Sequence, residues 1–326
     1  MLAPMSDGLV DEVARRLGPK HPRWLAVRVG RGAHAEVAAH GIEHGADVEI
    51  GSISKGLTGL LYVDAIERGE VRPDTTLADL LPLGATPAGG VTLTSLATHT
   101  SGLPRLAADS GALAATWRLW REGTNPYGAS LDDLLQRTRE TRVGRPRPAY
   151  SNLGFMLLGH AVAAAAGMTY AELFAQRLAE PMGLSGAHVP ATTAELSPHA
   201  VVGTNGRGRP MEAWTGVDVG PAGGIRMTAS DLAALTSALL DGTAPGLAAL
   251  DPVQDFGGRA NRIGAGWMTM ATKTGDVTWH NGGTGGFRSI LTLDRARQVG
   301  VAIVTATPRS VDRHGFDLVK EQARLS

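Results

Sequence analysis

A serine and a lysine stand three residues apart where a helix is expected to begin. Residues Ser52-Ile53-Ser54-Lys55 spell S-x-x-K, and the apolar residues that follow recur at helical spacing as far as Arg68. Because positions i and i+3 share one face of a helix, the lysine amine can reach the serine hydroxyl. The helix N-terminus and burial both lower a lysine pKa, and the free N–H groups there can hold an oxyanion. The pattern predicts Ser52 as a nucleophile and Lys55 as its base.

The alternative interpretation is a helix-capping serine followed by a surface lysine. Lysine is scarce in this chain: of 31 basic residues only Lys20, Lys55, Lys273 and Lys320 are lysines. Arginine serves wherever a permanent cation is enough, and only lysine can lose its proton near neutral pH. In a chain of this composition chance supplies roughly 0.2 S-x-x-K elements, which favours the functional interpretation.

Tyr150-Ser151-Asn152 forms a Y-x-N element just before a predicted helix. A phenol near a serine and a lysine can pass a proton between nucleophile and leaving group. An asparagine two residues later can hold a substrate carbonyl. The alternative is a half-buried tyrosine with a turn or cap asparagine. Chance supplies roughly 0.06 such elements, so its occurrence together with S-x-x-K is informative.

A third element, His280-Asn281-Gly282-Gly283, runs directly into T-G-G-F at 284–287. Glycines at a strand end let a substrate lie against the strand edge, and the Gly283 N–H could donate to an oxyanion. The alternative is a glycine-rich hairpin beside an imidazole, since H-x-G alone is common. Residues 273–275 spell K-T-G, but we predict that they lie in the turn before this strand and take no part in catalysis.

In this order, S-x-x-K, Y-x-N and H-x-G followed by T-G-G-F resemble the active-site motifs of the serine β-lactamase and penicillin-binding-protein superfamily. The tyrosine form with H-x-G is similar to the branch that holds class C β-lactamases, DD-carboxypeptidases, D-aminopeptidases and related esterases. Further agreement lies at 96–104 (L-A-T-H-T-S-G-L-P), 180–184 (E-P-M-G-L) and 221–226 (P-A-G-G-I-R).

The resemblance implies an α+β fold, with an antiparallel sheet flanked by helices, an inserted helical domain, and the active site between the two. It also implies roles. Ser52 would form the acyl-enzyme, Lys55 and Tyr150 would share the acid–base work, and Asn152 would orient the substrate.

The remaining implied site residues belong to the third element. The backbone N–H groups of Ser52 and Gly283 would form the oxyanion hole, with Gly282 leaving room for the substrate. His280 stands where class C β-lactamases have a lysine, which argues against penicillinase activity without removing acyl transfer. A neutral imidazole would offer little steady charge for a β-lactam carboxylate; Arg288 is the residue that could compensate.

Predicted strands lie towards the two ends of the chain, and predicted helices lie mostly in its middle. Strand patterns occur at Trp24–Val29, at 34–42, and as a meander over 264–271, 277–280, 287–293 and 298–305. Short helical segments fill the middle of the chain, and a closing helix is predicted over 313–325. We therefore predict a sheet domain from residues 1–73 and 198–326, and a helical domain from residues 74–197.

Composition excludes several classes of function. Lys+Arg and Asp+Glu both number 31 and cysteine is absent, so nothing indicates nucleic-acid binding, a disulfide framework or a thiolate nucleophile. A single basic cluster is expected, at Arg15, Arg16, Lys20 and Arg23, as a solvated helix end. Acidic residues near the N-terminus argue against an export signal, and the longest apolar run, 155–168, is too short for a bilayer. A cytoplasmic protein with no membrane partner is expected.

No rival catalytic motif is complete. Residues 183–187 (G-L-S-G-A) fail the G-x-S-x-G pattern at their last position, and neither H-E-x-x-H nor a P-loop occurs, so no metal or cofactor is predicted. The favoured function is a serine acyl-enzyme hydrolase of a small-molecule ester or amide, with esters preferred to penicillins. Alternatives are a transacylase with an amine or alcohol acceptor, a true β-lactamase or DD-peptidase, and an inactive ligand-binding relative. The oligomeric state stays open.

Overall fold

Strands from both ends of the chain form one sheet. The computed structural model describes residues 5–32, 34–43, 45–107, 121–128, 130–258 and 261–325. Its main sheet is antiparallel, in the order β2-β1-β10-β9-β8-β7-β6-β5, and β3 pairs with β4 in a separate small sheet. The strands are β1 (Trp24–Gly30), β2 (His34–His40), β3 (Val48–Glu49), β4 (Arg226–Met227), β5 (Gln254–Asp255), β6 (Asn261–Ile263), β7 (Met268–Thr272), β8 (Gly275–Gly283), β9 (Arg288–Asp294) and β10 (Val299–Thr305).

Helices cover both faces of the main sheet because its central strands are apolar on both faces. In β1, Leu25 and Val27 join one apolar cluster, while Trp24 and Ala26 join the other. Helices α1 and α10 pack on one face, and α2 and α9 on the opposite face. The helices are α1 (Asp7–Leu17), α2 (Ile53–Glu67), α3 (Leu77–Leu80), α4 (Leu93–Ala97), α5 (Leu131–Arg139), α6 (Asn152–Ala165), α7 (Tyr170–Phe174), α8 (Gly220–Gly223), α9 (Ala229–Asp241) and α10 (Asp312–Leu325). The predicted fold class is confirmed.

Helix α2 lies in the centre of the molecule and is buried along most of its length. Two glycines let the segment before β7 approach it closely. The indole nitrogen of Trp267 donates to the Gly56 carbonyl at 3.0 Å. A Cβ atom on Gly59 would lie 1.9 Å from the carbonyl oxygen of Ala265. The N-terminus of α2, where Ser52 lies, is therefore held rigidly against the sheet.

The described residues between 74 and 197 form helices and isolated bridges, with no longer strand. Their apolar side chains belong to the same cluster as one face of the sheet. The division at 73/74 and 197/198 stays a prediction. In the described part of the chain, no single helix is long and apolar enough to cross a membrane; α6 and the segment Tyr170–Ala179 reach that length and composition only as a pair bent by 79°.

Three predicted element boundaries are wrong. The strand expected at 264–271 begins only at Met268, because Gly266 adopts a φ of 74° and turns the chain. The strand expected at 277–280 is longer, since β8 runs through Gly282 and Gly283 while paired with β9. The strand expected at 34–42 ends already at His40, because Gly41 adopts a φ of 62°.

Candidate active site

Ser52 and Lys55 are in direct contact at the start of α2. Ser52 is the half-buried N-cap residue, and the buried amine of Lys55 donates to its hydroxyl at 3.1 Å. The same Nζ donates to the carbonyl of Ala222, in α8, at 2.5 Å. Gly51, with a φ of 54°, makes the turn that leads into the helix. The predicted contact between hydroxyl and amine is present.

The surroundings of Lys55 favour a neutral amine. Its side chain is fully buried, and this burial lowers its pKa well below the ordinary value, with the positive charge of Arg105 adding to the effect. A lysine that loses its proton readily can remove the proton of the serine hydroxyl. The amine is thus suited to the role of general base.

Tyr150 lies beside the same hydroxyl. It shares a hydrogen bond with Ser52, and the centroid of its ring is 5.0 Å from Lys55 Nζ. Burial raises the pKa of Tyr150 above its usual range, although the hydrogen bond to Ser52 and the charge of Arg105 oppose this rise. The phenol therefore keeps its proton, which favours Lys55 as the base and Tyr150 as the group that relays a proton.

The end of β8 lies against the start of α2. A Cβ atom on Gly282 would lie 2.1 Å from the Ile50 carbonyl oxygen and 3.0 Å from the Ser52 nitrogen, and one on Gly51 would lie 2.6 Å from the Gly283 nitrogen. The amide groups of Ser52 and Gly283 therefore border the same narrow gap. Two backbone donors at such a gap are suited to an oxyanion.

Asn152 begins α6 and keeps one acceptor available. Its Nδ2 atom donates to the Tyr127 hydroxyl at 3.2 Å, while its buried Oδ1 atom has no partner among the described residues. The ring of Tyr127 packs edge-on against that of Trp214, with centroids 4.8 Å apart. An unpaired buried carbonyl oxygen is unusual. Asn152 is not among the described residues that line the cleft above Ser52, so its contact with substrate stays a prediction.

His280 is placed behind the cleft wall. It is 3% exposed, and its ring centroid lies 6.4 Å from that of Tyr150. Nδ1 donates to the Asn281 carbonyl at 2.6 Å. Burial, together with the charge of Lys55, lowers the pKa of His280 to about 3, although the hydrogen bond to Asn281 opposes this. The imidazole is therefore neutral, as predicted from the ordinary histidine pKa, and its contact with substrate stays a prediction.

A cleft of about 480 Å³ opens above Ser52. Arg105 lies on its wall from the helical side and Arg288 from the sheet side, where Arg288 Nη1 donates to the carbonyls of Thr284 and Phe287. Among the described residues that line the cleft, Asp312 is the one with an acidic side chain. The described lining residues are Ser52, Arg105, Tyr150, Asn205, Met211, Trp214, Asn281, Gly282, Gly283, Thr284, Gly285, Arg288, Pro308, Ser310 and Asp312.

A buried ion cluster supports the Trp214 side of the cleft. Arg226 is fully buried, with its Nε 3.2 Å from Asp47 Oδ2 and its Nη1 3.2 Å from Glu49 Oε1. The same Glu49 oxygen accepts the backbone N–H of Trp214 at 3.0 Å. Burial raises the pKa of Glu49, and the charge of Arg226 opposes this rise. The small sheet of β3 and β4 thus connects the core to the cleft wall.

His99 was missed as a functional residue. Its backbone has a φ of 55°, its Nδ1 accepts the Ser151 N–H at 3.1 Å, and its carbonyl accepts the Ala149 N–H at 2.8 Å. The centroid of its ring is 4.4 Å from that of Tyr150. Burial lowers the pKa of His99 well below its ordinary value, so the ring is neutral. His99 positions Tyr150 from both sides; the only signal in the sequence was the segment 96–104.

In the part of the chain that the structure describes, no three His, Asp or Glu side chains converge as metal ligands would. The Ser52 hydroxyl contacts both the Lys55 amine and the Tyr150 phenol, next to two backbone N–H groups, and such an arrangement is suited to nucleophilic catalysis by serine.

Comparison with known proteins identifies the family. The model of the Beta-lactamase family matches residues 27–324, so the chain belongs to that family, and the resemblance seen in the sequence is confirmed. The chain is 28% identical over 291 residues to the D-alanyl-D-alanine-carboxypeptidase/endopeptidase AmpH of Escherichia coli (strain K12), covering 80% of this chain and 71% of AmpH. It is 28% identical over 323 residues to penicillin-binding protein 4 of Amycolatopsis lactamdurans, and this match covers 86% of this chain and 79% of that protein.

Solved structures show the same fold. The class C β-lactamase from Rhodobacter sphaeroides superimposes with a TM-score of 0.77 at 20% identity, covering 98% of this chain and 97% of that one. The D-alanine carboxypeptidase AmpC from Burkholderia cenocepacia superimposes with a TM-score of 0.79 at 22% identity, and the match covers 98% of this chain and 99% of that one. Together with the family match over residues 27–324, this makes the chain a serine hydrolase of the β-lactamase type.

Proposed function

We propose that this protein hydrolyses an ester or amide of a small molecule through an acyl-enzyme on Ser52. The observation that carries the proposal is the 3.1 Å contact between Ser52 Oγ and the buried amine of Lys55. A buried amine with a lowered pKa is the group that can activate a serine hydroxyl, which is unreactive on its own.

The reaction follows from the positions of the groups. Lys55 Nζ takes the Ser52 proton, and Oγ bonds to the substrate carbonyl carbon. The negative oxygen that results lies in the gap between the N–H groups of Ser52 and Gly283. Tyr150 gives its proton to the leaving oxygen or nitrogen as that bond breaks, and the adjacent Lys55 ammonium then gives a proton to the Tyr150 oxygen. Water then releases the acid and restores Ser52.

Esters are proposed as better substrates than penicillins. His280, which stands in place of the family's lysine, is neutral and lies behind the cleft wall, so it offers no cation to a β-lactam carboxylate. Arg288 lies on the cleft wall, but its Nη1 atom already donates to two carbonyls and burial lowers its pKa. The names of the curated relatives favour a second candidate, D-alanyl-D-alanine carboxypeptidase activity.

Labelling with a fluorophosphonate tests the nucleophile. The reagent should add its mass to the peptide that carries Ser52, and Ser52→Ala should abolish both labelling and ester turnover while the protein keeps its melting temperature. Ser54→Ala is the matched control, because Ser54 Oγ is buried and accepts the Ile225 N–H. An adduct on Ser54, or turnover in Ser52→Ala, would contradict the mechanism.

A substrate panel then separates the candidates. It contains a p-nitrophenyl ester, a D-alanyl-D-alanine peptide and a chromogenic cephalosporin, all measured as kcat/KM on one preparation. The proposal expects the ester to be fastest. A faster peptide would favour the carboxypeptidase, and diversion of the acyl group to an added amine would favour a transacylase.

A further inference from the structure

A second cavity, of about 500 Å³, lies next to the active-site cleft, and its lining does not include the Gly282–Gly283 strand end. Its described lining is formed by 102–105 and by Gly144, Arg145, Arg147, Ala149 and Tyr150. We call it the arginine annex. Arg105 and Tyr150 line both the annex and the active-site cleft, so the two cavities adjoin at these side chains.

The annex carries a local excess of positive charge. Arg105, Arg145 and Arg147 line it, and none of its described lining residues is acidic. The expectation of a single basic cluster is wrong: residues 137–147 hold five arginines and one glutamate, in a chain whose formal net charge is zero. Three arginines that line one cavity attract an anion, and guanidinium pairs especially well with phosphate and carboxylate oxygens.

Backbone contacts tie the annex to the catalytic groups. The Gly144 N–H donates to the Gly102 carbonyl at 2.8 Å, so the two loops that form the annex walls run side by side. The Arg105 carbonyl accepts the N–H groups of Asn152 and Leu153 at 3.0 and 3.1 Å, at the start of α6. The Arg105 guanidinium carbon is 5.6 Å from the centroid of the Tyr150 ring. The annex is therefore fixed relative to the site.

The position of Tyr150 decides which part of a substrate enters the annex. In the proposed reaction Tyr150 gives its proton to the leaving atom, so the leaving alcohol or amine lies on the Tyr150 side of Ser52. We infer that the arginine annex binds an anionic group, a phosphate or a carboxylate, on the alcohol or amine part of the substrate. This inference rests on the proposed function and names its substrate class. A doubly charged phosphate should be favoured over a carboxylate, since three cations surround the cavity.

The test compares esters that differ only in charge far from the reacting bond: 4-acetoxyphenyl phosphate, 4-acetoxybenzoate and uncharged 4-acetoxyanisole. Dividing each anionic kcat/KM by the neutral one gives a preference, which is measured in the wild type and in variants. Comparing variants on this ratio removes the intrinsic reactivity of each ester. Arg145→Gln and Arg147→Gln, alone and combined, remove annex charge without touching Ser52, Lys55 or Tyr150.

Each single variant should lower the phosphate preference about 2- to 5-fold, as expected for exposed charge pairs, and the double variant about tenfold. The rate with 4-acetoxyanisole should stay within twofold. Arg142→Gln is the matched control, because Arg142 is an exposed arginine of the same loop that is not among the lining residues. In 0.5 M salt, where the screening length is about 4 Å, the wild-type preference should fall towards that of the double variant.

An unchanged preference in the double variant, or an equal loss in Arg142→Gln, would overturn the inference, since charge in the annex would then not matter. Equal gains for phosphate and carboxylate would support an anion site and reject the preference for double charge. Calorimetric titration with phenyl phosphate needs no turnover: weaker binding to the double variant than to the wild type supports the annex even if no ester is hydrolysed. If phenyl phosphate binds in this way but no ester is hydrolysed, the anion site is supported and only the proposed hydrolase function is wrong.

Discussion

Strand β8 has motif-like residues at both ends, and the two ends lie in opposite surroundings. At its beginning, Lys273 and Thr274 form the two-residue turn of the β7–β8 hairpin, and both are exposed. At its end, Gly282 and Gly283 lie against the backbone of Gly51 and Ser52. The letters K-T-G stand at the first end, whereas the contact with the nucleophile is at the second. Position along the strand therefore identifies the third motif better than its letters do.

The two lysines near these motifs differ in the same way. Lys55 is fully buried, donates to Ser52 and to the Ala222 carbonyl, and has a lowered pKa. Lys273 is exposed at the tip of a hairpin. Burial and fixed partners turn a lysine into a base, and an exposed lysine keeps its ordinary chemistry. Variants at both ends of β8, and at both lysines, test whether these differences in surroundings decide function.

The largest effect is expected from Gly282→Val. Its side chain would begin 2.1 Å from the Ile50 carbonyl oxygen and 2.2 Å from Ser289 Oγ, so the strand end must move away from Ser52. The kcat/KM for a p-nitrophenyl ester should fall about 1,000-fold or more, as when an oxyanion donor is lost.

Gly275→Ala, at the other end of the same strand, is the control. Gly275 has a φ of 130°, so alanine there should cost about 1–3 kcal/mol of folding free energy and leave kcat/KM nearly unchanged. Equal losses of activity in both variants would show that the two ends of β8 are equivalent, and the comparison would be broken.

Lys55→Arg should lower kcat/KM by about 100- to 10,000-fold, because guanidinium stays protonated at any working pH and cannot accept the Ser52 proton. Lys273→Arg should have no effect on the same ester. In the wild type, kcat/KM should rise with pH as the Lys55 amine loses its proton, and the pH of half-maximal activity should lie well below the ordinary lysine pKa. Substantial activity in Lys55→Arg would mean that Lys55 acts only as a charge.

The sequence was a good guide where one element contains the whole signal. Helix α2 was predicted to within a residue at each end, because its apolar residues repeat at helical spacing, and the S-x-x-K contact follows from that helix alone. Strands β1 and β10 were also predicted to within one residue, since their apolar runs are bounded by turn residues. The spacing of apolar residues within one segment can be recognised without knowing which other segment it packs against.

The parts that were missed depend on contacts between distant segments. Helix α9 was not predicted, although Thr228 and Asp231 form a capping box at its start. The small sheet of β3 and β4 escaped notice because its strands have two residues each and surround the buried Arg226 ion cluster. His99 and Arg105 gain their roles from loops 102–105 and 144–150, which meet only in the folded chain.

Acid should destabilise the protein through buried histidines, among them His280 in β8 and His160 in α6. Burial lowers the pKa of His280 to about 3, and that of His160 to about 4, from an ordinary value near 6.5. Below about pH 6.5 these two histidines bind protons in the unfolded chain but stay neutral in the folded chain. Stability is thus fully present above about pH 6.5 and falls as the pH drops towards 4, by about 1.4 kcal/mol per pH unit for each histidine.

Urea unfolding at pH 7.5 and pH 5.0 measures this effect, and His280→Gln should remove one histidine's share of it. If the variant shows the same pH dependence as the wild type, the pKa of His280 is not lowered in the folded protein, and the imidazole takes up a proton below about pH 6.5. The site would then hold a cation in acid where the family has lysine, and the argument for esters over penicillins would apply only above about pH 6.5.

The smallest effect is expected from Lys273→Ala. The hairpin is held by contacts that do not involve this side chain: Thr272 Oγ1 donates to the Gly275 carbonyl at 2.6 Å and accepts the Thr274 N–H at 3.2 Å. Register places Thr272 opposite Gly275, so Lys273 lies at the tip, at the opposite end of β8 from the gap beside Ser52. An exposed side chain without such contacts changes the free energy of unfolding by at most about 0.5 kcal/mol.

We therefore expect kcat/KM of Lys273→Ala to stay within twofold of the wild type for both an ester and a cephalosporin. A loss confined to the cephalosporin would mean that the Lys273 charge reaches a substrate carboxylate after all, and K-T-G would then be functional at the end of the strand where its contacts argue against it.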